Sequence, residues 1–187
     1  MSASAPGPER EAKGWLIWQT IQRNRPANGY IRRPPFRLSC VLMPVEAPLT
    51  PADWTAYYRL RFEVLRQPWQ QPAGSERAPD DDAPTTTHAL WRAPSGAIAG
   101  VARLSPSGPQ QGQVRYMAVA PAWQGHGVGQ QLMHYLEDAA RRQGFTEIVL
   151  HARETAVAFY QRLGYTVIEP SHTLFGVIPH FLMQKSL

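Results

Sequence analysis

Between residues 115 and 144 the chain reads RYMAVAPAWQGHGVGQQLMHYLEDAARRQG, and its segment Gln124-Gly125-His126-Gly127-Val128-Gly129 has the residue types to grip an anion. Val128, Leu132, Leu136, Ala139 and Ala140 recur on one helical face, so a helix is expected to begin near His126. The first amides of a helix lack intrahelical partners, and the aligned peptide dipoles place about half a positive charge there. Glycines at 125, 127 and 129 let a ligand approach those amides with no Cβ in the way. A terminus of this kind binds phosphate without any lysine. The plainer reading is a glycine turn from strand to helix, but three glycines at alternate positions exceed what a turn needs.

Two other phosphate motifs fail on spacing. The third glycine of G-x-G-x-x-G falls on Gln130 counted from Gly125, and on Leu132 counted from Gly127. A Walker loop needs Gly-Lys-Ser/Thr, and residues 115–184 contain no lysine.

The elements that must hold this turn are readable on both sides of it. LSCVLMPV, residues 38–45, reads as an opening strand. Thr50, Pro51 and Asp53 form an N-cap, a first-turn proline and an acidic first turn, and Trp54, Tyr57, Tyr58, Leu60, Arg61 and Leu65 follow at helical spacing. After Pro68 comes a long loop whose acidic run, Asp80–Asp82, reads as solvated surface. HALWRA and AIAGVARLS around the turn PSG predict a hairpin, and a second turn, PSGPQQGQ, leads to the strand VRYMAVA. Beyond the central helix, stopped by Gly144, come the strand FTEIVLHA and the short helix ETAVAFYQRLG, then the closing strands YTVIEP and HFLMQKSL. The order β-α-loop-β-β-β-α-β-α-β-β predicts an α+β domain with a mixed sheet, antiparallel early and with one parallel β-α-β step.

Composition narrows the function classes. The 187 residues suit one domain with a real core. No apolar run approaches the roughly 20 residues of a membrane span, so no membrane role is expected. The single cysteine, Cys40, excludes an internal disulfide, fits a reducing, cytoplasmic compartment and reads as a small buried hydrophobe. The net charge of +5 resides in residues 1–37, where seven basic residues face two acidic ones, while residues 38–187 are balanced. A nucleic-acid groove on the domain is therefore not expected. The chain divides into a basic Pro/Arg-rich extension, 1–37, and a domain, 38–187. In the extension GWLIW is too short for a signal-peptide core, though Trp15, Ile17 and Trp18 could pack as a strap.

The run V-x-P-x-W-Q-G-H-G-V-G resembles the signature Gln/Arg-x-x-Gly-x-Gly/Ala of the GCN5-related N-acetyltransferase (GNAT) superfamily, with Gln124, Gly127 and Gly129 at its named positions. RETAVAFYQRLGY is similar to the family's second signature, matched at Ala156, Phe159, Tyr160, Gly164 and Tyr165, while Arg153 stands where asparagine is usual. The resemblance spans residues 38–187 and implies the GNAT fold: a central mixed, largely antiparallel sheet of six to seven strands with splayed middle strands, flanked by about four helices. It implies acetyl-CoA as co-substrate, with its pyrophosphate on the loop amides. Gln124, Gly125, His126, Gly127, Val128 and Gly129 would bind it, with Arg153, Ala156 and Phe159 beside them. The backbone of Met117, Ala118 and Val119 would take the pantetheine and polarise the thioester.

By the same resemblance Tyr160 is the candidate general acid, its alternative being a core tyrosine. The acceptor ammonium must lose a proton, and His151 at the end of its strand is the candidate base; His172, His180, Glu63 or a chain of waters stay open. Helix one and the long loop would wall an acceptor cleft with Arg61, Arg66, Trp69 and Gln70. No histidine set shows ligand spacing, so no metal is expected. The implied activity is acetyl transfer to a small-molecule primary amine, and the alternative is a non-catalytic acetyl-CoA sensor. Pairing of two copies through the final strands is a further expectation from the resemblance.

Overall fold

The computed structural model of the protein describes residues 45–187. The extension, Cys40 and nearly all of the expected strand 38–45 lie outside the described residues. Where that strand was expected to end, Glu46 forms an isolated antiparallel bridge to Leu90, through amide–carbonyl contacts of 3.0 and 2.8 Å.

Helix α1, Pro51–Leu65, starts where its capping residues predict. Thr50 Oγ1 accepts the Asp53 amide at 3.1 Å and Asp53 Oδ2 accepts the Thr50 amide at 3.0 Å, a reciprocal capping box. The other oxygen of Asp53 accepts from Arg92 at 2.6 Å, and this ion pair together with the Thr50 and Leu49 amides holds its carboxyl well below the usual range.

Six strands follow, β1 (Thr87–Arg92), β2 (Ile98–Gly108), β3 (Gln111–Val119), β4 (Glu147–Arg153), β5 (Thr166–Leu174) and β6 (Ile178–Ser186). Their order in the sheet is β1-β2-β3-β4-β6-β5, antiparallel throughout except for β3 beside β4. That parallel step needs a crossover, supplied by α2 (Val128–Arg142), and α3 (Val157–Arg162) leads from β4 toward β5. Among the described residues there are three α-helices, against the four or so expected. The turn expected over PSGPQQGQ shrinks to residues 109–110, because β2 runs on to Gly108 and pairs it with Gln111. Pro106 is tolerated within β2 because β1 ends opposite Leu104, leaving that flank without a ladder partner.

The sheet has a core on each face. On one face Leu132, Met133 and Leu136 of α2 pack on Leu104, Ile148, Leu150 and Met183 of the sheet; on the other Tyr57 and Leu60 of α1 pack with Leu90, Val101 and Ala118. Each buried aliphatic side chain contributes on the order of 1.5–3 kcal/mol. Gly100 lets the first turn of α2 press onto β2, since a Cβ there would stand 2.5 Å from Val128 Cγ1.

The acidic run departs from its expected surface role. Asp81 is 5% exposed, and its two oxygens hold Arg61 (2.9 Å) and Arg103 (2.6 Å), both guanidiniums fully buried. Asp80 pairs with Arg103 as well. Burial pushes the Asp81 carboxyl upward, yet the Ala78 amide and the two guanidiniums leave it below its ordinary value. Arg61 therefore serves the interior and does not face a cleft. Charge-run reasoning misses this because the arginines that bury the aspartate come from α1 and β2.

Candidate functional site

Strands β3 and β4 pair only from Gln111↔Glu147 to Val114↔Leu150. Beyond that point β3 stays with β2 as far as Val119, and β4 stays with β6 as far as Arg153↔His180. A gap opens between them, and its root coincides with a bulge. On β2 the partners step from Val101 to Arg103, while on β3 they step from Ala118 to Arg115, so β3 carries one extra residue. Tyr116 absorbs it at φ +54°, a left-handed conformation costly for an aromatic residue. Its ring is held by the guanidiniums of Arg61, Arg66, Arg103 and Arg115, all 4.5–5.6 Å from the centroid.

The gap widens into a cleft of about 1010 Å³. At its rim α2 begins, with Gly127 as N-cap at φ +80° and no side chain capping the helix. Gly125, His126 and Gly127 are exposed, and among the described residues a Cβ added at Gly125 or Gly127 would meet nothing within 4 Å. The amides of Val128, Gly129 and Gln130 have no hydrogen-bond partner among the described residues. An open cradle with several unpaired amides and the positive end of a 15-residue helix matches a diphosphate in charge and shape. Gln124 contributes structure too: its Nε2 donates to the Val119 carbonyl at 3.0 Å, bracing the end of β3.

The remaining expected residues gather on the gap. Phe159 packs near Gly129, where an added Cβ would lie 3.1 Å from its ring, and Ala156 stands beside it on the lining. The Tyr160 hydroxyl donates to Met117 Sδ at 3.5 Å, a weak acceptor. Burial pushes this phenol up to about 12, with the nearby Arg153 acting in the opposite direction. Leu150 and Ala152 point under α2, so the alternating residues His151 and Arg153 turn to the α1 face. His151 Nδ1 lies 2.7 Å from Ser171 Oγ, and its pKa is lowered by burial, His172 and Arg115. Of the expected catalytic and cofactor residues, all but His126 line the cleft; His126 packs on Trp123 and its Nδ1 meets the Gln124 carbonyl.

The acceptor-side expectations fare unevenly. Arg66 lines the cleft, whereas Arg61, Trp69 and Gln70 do not. Trp69 sits near Phe175, 6.4 Å between centroids. His172 and His180, weighed only as lesser bases, stand stacked at 4.8 Å. Arg115 went unnoticed in the sequence, although it is the one charge in the otherwise apolar strand VRYMAV.

Residues 54–165 match the model of the acetyltransferase (GNAT) family, a span that takes in β1 to β4, the glycine turn and α3. The chain belongs to the GNAT acetyltransferase family. It is similar to the uncharacterized N-acetyltransferase YjcF of Bacillus subtilis, 35% identical over 74 residues, which is 40% of this chain and 53% of that protein. The chain spans about half the length of the curated relatives it matches. Among solved structures it is similar to an acyl-CoA N-acyltransferase from Pseudomonas aeruginosa, with 26% identity, a TM-score of 0.65 and coverage of 76% of this chain and 97% of that one. An aminoglycoside 6'-N-acetyltransferase complexed with coenzyme A superposes with a TM-score of 0.66, covering 77% of this chain and 97% of that one. At 16% identity this second likeness is one of fold alone.

Proposed function

We propose that the protein transfers the acetyl group of acetyl-CoA to a primary amine of a small molecule by direct attack in a ternary complex, using the domain of residues 38–187. One observation carries this reading: the uncapped, glycine-lined head of α2 opens onto the rim of a gap whose two edge strands have lost their mutual ladder. An unpaired strand edge inside a fold is costly unless something occupies it. An extended chain carrying amides, such as pantetheine, supplies the missing partners.

In this reading the amides around Gly125, Gly127, Val128 and Gly129 hold the diphosphate, and Gln124 keeps the end of β3 in place through Val119. The backbone of Met117, Ala118 and Val119 receives the pantetheine, and one amide donates to the thioester oxygen as it gains charge. Phe159 and Ala156 wall the path, with Arg153 at the end of β4. The donor supplies an acyl group activated as a thioester. The acceptor nitrogen bonds to the carbonyl carbon, the C–S bond breaks, and its electron pair leaves on sulfur. His151, kept neutral at pH 7 by its depressed pKa, takes the proton from nitrogen directly or through water. Tyr160, protonated at pH 7, donates toward the leaving sulfur in place of its weak bond to Met117. Arg153 favours any negative charge left on the phenol oxygen. No metal takes part in the proposed reaction.

The test measures thiol release across an amine panel alongside calorimetry of acetyl-CoA binding. Tyr160→Phe is expected to lower kcat on the order of 100-fold, with the acetyl-CoA dissociation constant essentially unchanged. Tight binding with no turnover of any amine would replace the enzyme by a sensor.

A further inference from the structure

The cleft has an electrostatic sidedness of which the transfer chemistry uses only His151 and Arg153. Among the described residues its lining includes Arg66, Arg115, Arg153, Arg162 and three histidines, with no aspartate or glutamate. The glycine turn, Phe159 and Tyr160 accompany α2 and α3 on one face of the sheet. Arg66 and Arg115 lie on the other face, each within 5.6 Å of the Tyr116 ring, which packs with the α1 core. His151, His172 and His180 continue that face. Ser171 Oγ lies within 2.7 and 3.1 Å of the first two, and His172 stacks on His180 at 4.8 Å. The cofactor's diphosphate has its own cradle at the head of α2, so these cations are not needed for it.

Elsewhere the molecule neutralises its buried guanidiniums. Arg61 and Arg103 share Asp81, and the partly buried Arg92 has both Asp53 and Glu46. In the cleft the pattern reverses. Arg66 donates only to the carbonyls of Ser75 (2.9 Å) and Leu65 (3.1 Å), and Arg115 and Arg153 have no carboxylate within ion-pair distance among the described residues. Arg153 is half-buried, and burial together with Arg66 lowers its pKa. Like charges gathered without a counter-ion raise the free energy of the empty site, and an anion relieves that cost. A polyamine would meet repulsion in the same place.

We infer that the acceptor is an amine that also carries an anionic group, a carboxylate or a phosphate, received by Arg66 and Arg115 beside the His151–His172–His180 cluster. The inference rests on the transferase reading and deepens it. Guanidinium forks match the planar carboxylate and the phosphate equally well, and either group would tether the amine at the root of the gap.

The test compares matched amines on the full-length protein by thiol release: L-amino acids against their amides for the carboxylate, O-phosphoethanolamine against ethanolamine for the phosphate, and spermidine as the polycation. The expected result is a kcat/KM at least about tenfold higher for the anionic member of one pair, and poor turnover of spermidine. Arg115→Gln changes an exposed side chain. It is expected to raise KM for the anionic acceptor about tenfold, leave KM for acetyl-CoA unchanged and erase the preference within the pair. Arg115→Lys is expected to restore part of it. Neutral amides or spermidine turned over as well as the anionic partners would overturn the inference while the transferase reading stands. Bound acetyl-CoA with no thiol from any member of the panel would overturn both.

Discussion

At the scale of single residues, Gly127 carries the most specific demand. It sits at φ +80°, caps α2 with its backbone and has open space where a side chain would be. Gly127→Val would strain the turn and place branches where a diphosphate must approach the amides. Calorimetry is expected to show acetyl-CoA binding weakened by about tenfold or more, which corresponds to about 1.4 kcal/mol. Because no other side chain or backbone atom among the described residues lies within 4 Å of that position, a lost affinity accompanied by a modest change in Tm would point to the ligand and not to packing. An unchanged dissociation constant would contradict the assignment of the turn. Tyr160 and Gln124 illustrate a different lesson. Both were singled out by their place in a pattern, yet their contacts, Tyr160 to Met117 and Gln124 to Val119, are with β3, and strand identity is not visible in a local pattern.

At the scale of elements, the long loop between α1 and β1 is fastened by Asp81 to α1 and β2 at once. The same aspartate carbonyl meets His88 Nε2 at 2.8 Å, and the His88 Nδ1 lies 3.1 Å from the Tyr57 hydroxyl, so the loop is joined to β1 as well. Asp81→Asn leaves the buried Arg61 with no carboxylate partner among the described residues and Arg103 with Asp80 alone, and breaking a buried pair costs about 3–5 kcal/mol. Thermal unfolding at pH 7 is expected to show a marked drop in Tm. The pH dependence has a definite sign. The Asp81 pKa is depressed on folding, so its contribution is fully present above its ordinary value of 3.8 and is lost as pH falls through the lower folded value. The Tm difference between wild type and variant should therefore shrink below pH 4, and a constant difference would show that the charge is not what matters. Helix α1 was legible from Thr50, Pro51 and Asp53 because a capping box is a contact between near neighbours in sequence. The buried role of Asp80–Asp81 was not, because its partners come from distant elements.

At the scale of the whole molecule, the sheet is two three-stranded halves, β1-β2-β3 and β4-β6-β5, joined by the short parallel pairing of β3 and β4. An acyl-CoA lying in the gap would complete the ladder between them. Hydrogen exchange at the amides of Met117 and Val119, which alternate with the Ala120 amide bonded to Ala99 on β2 and so face the gap, is expected to slow about tenfold or more when acetyl-CoA binds, while the amides already paired between β2 and β3 change little. Equal protection with and without bound ligand would show that the gap is not where the donor lies. The sequence by itself determined the helices, the glycine turn, the family signatures and the mixed character of the sheet, since each depends on periodicity, caps or backbone freedom within a short window. Only the tertiary structure decided that β3 and β4 separate after Val114, that Arg61 is sealed in the core while Arg66 and Arg115 face the cleft, and that three histidines share one wall. Those outcomes depend on which strand lies beside which and on where a bulge reverses the alternation of side chains, and both are settled by packing between segments far apart in the chain.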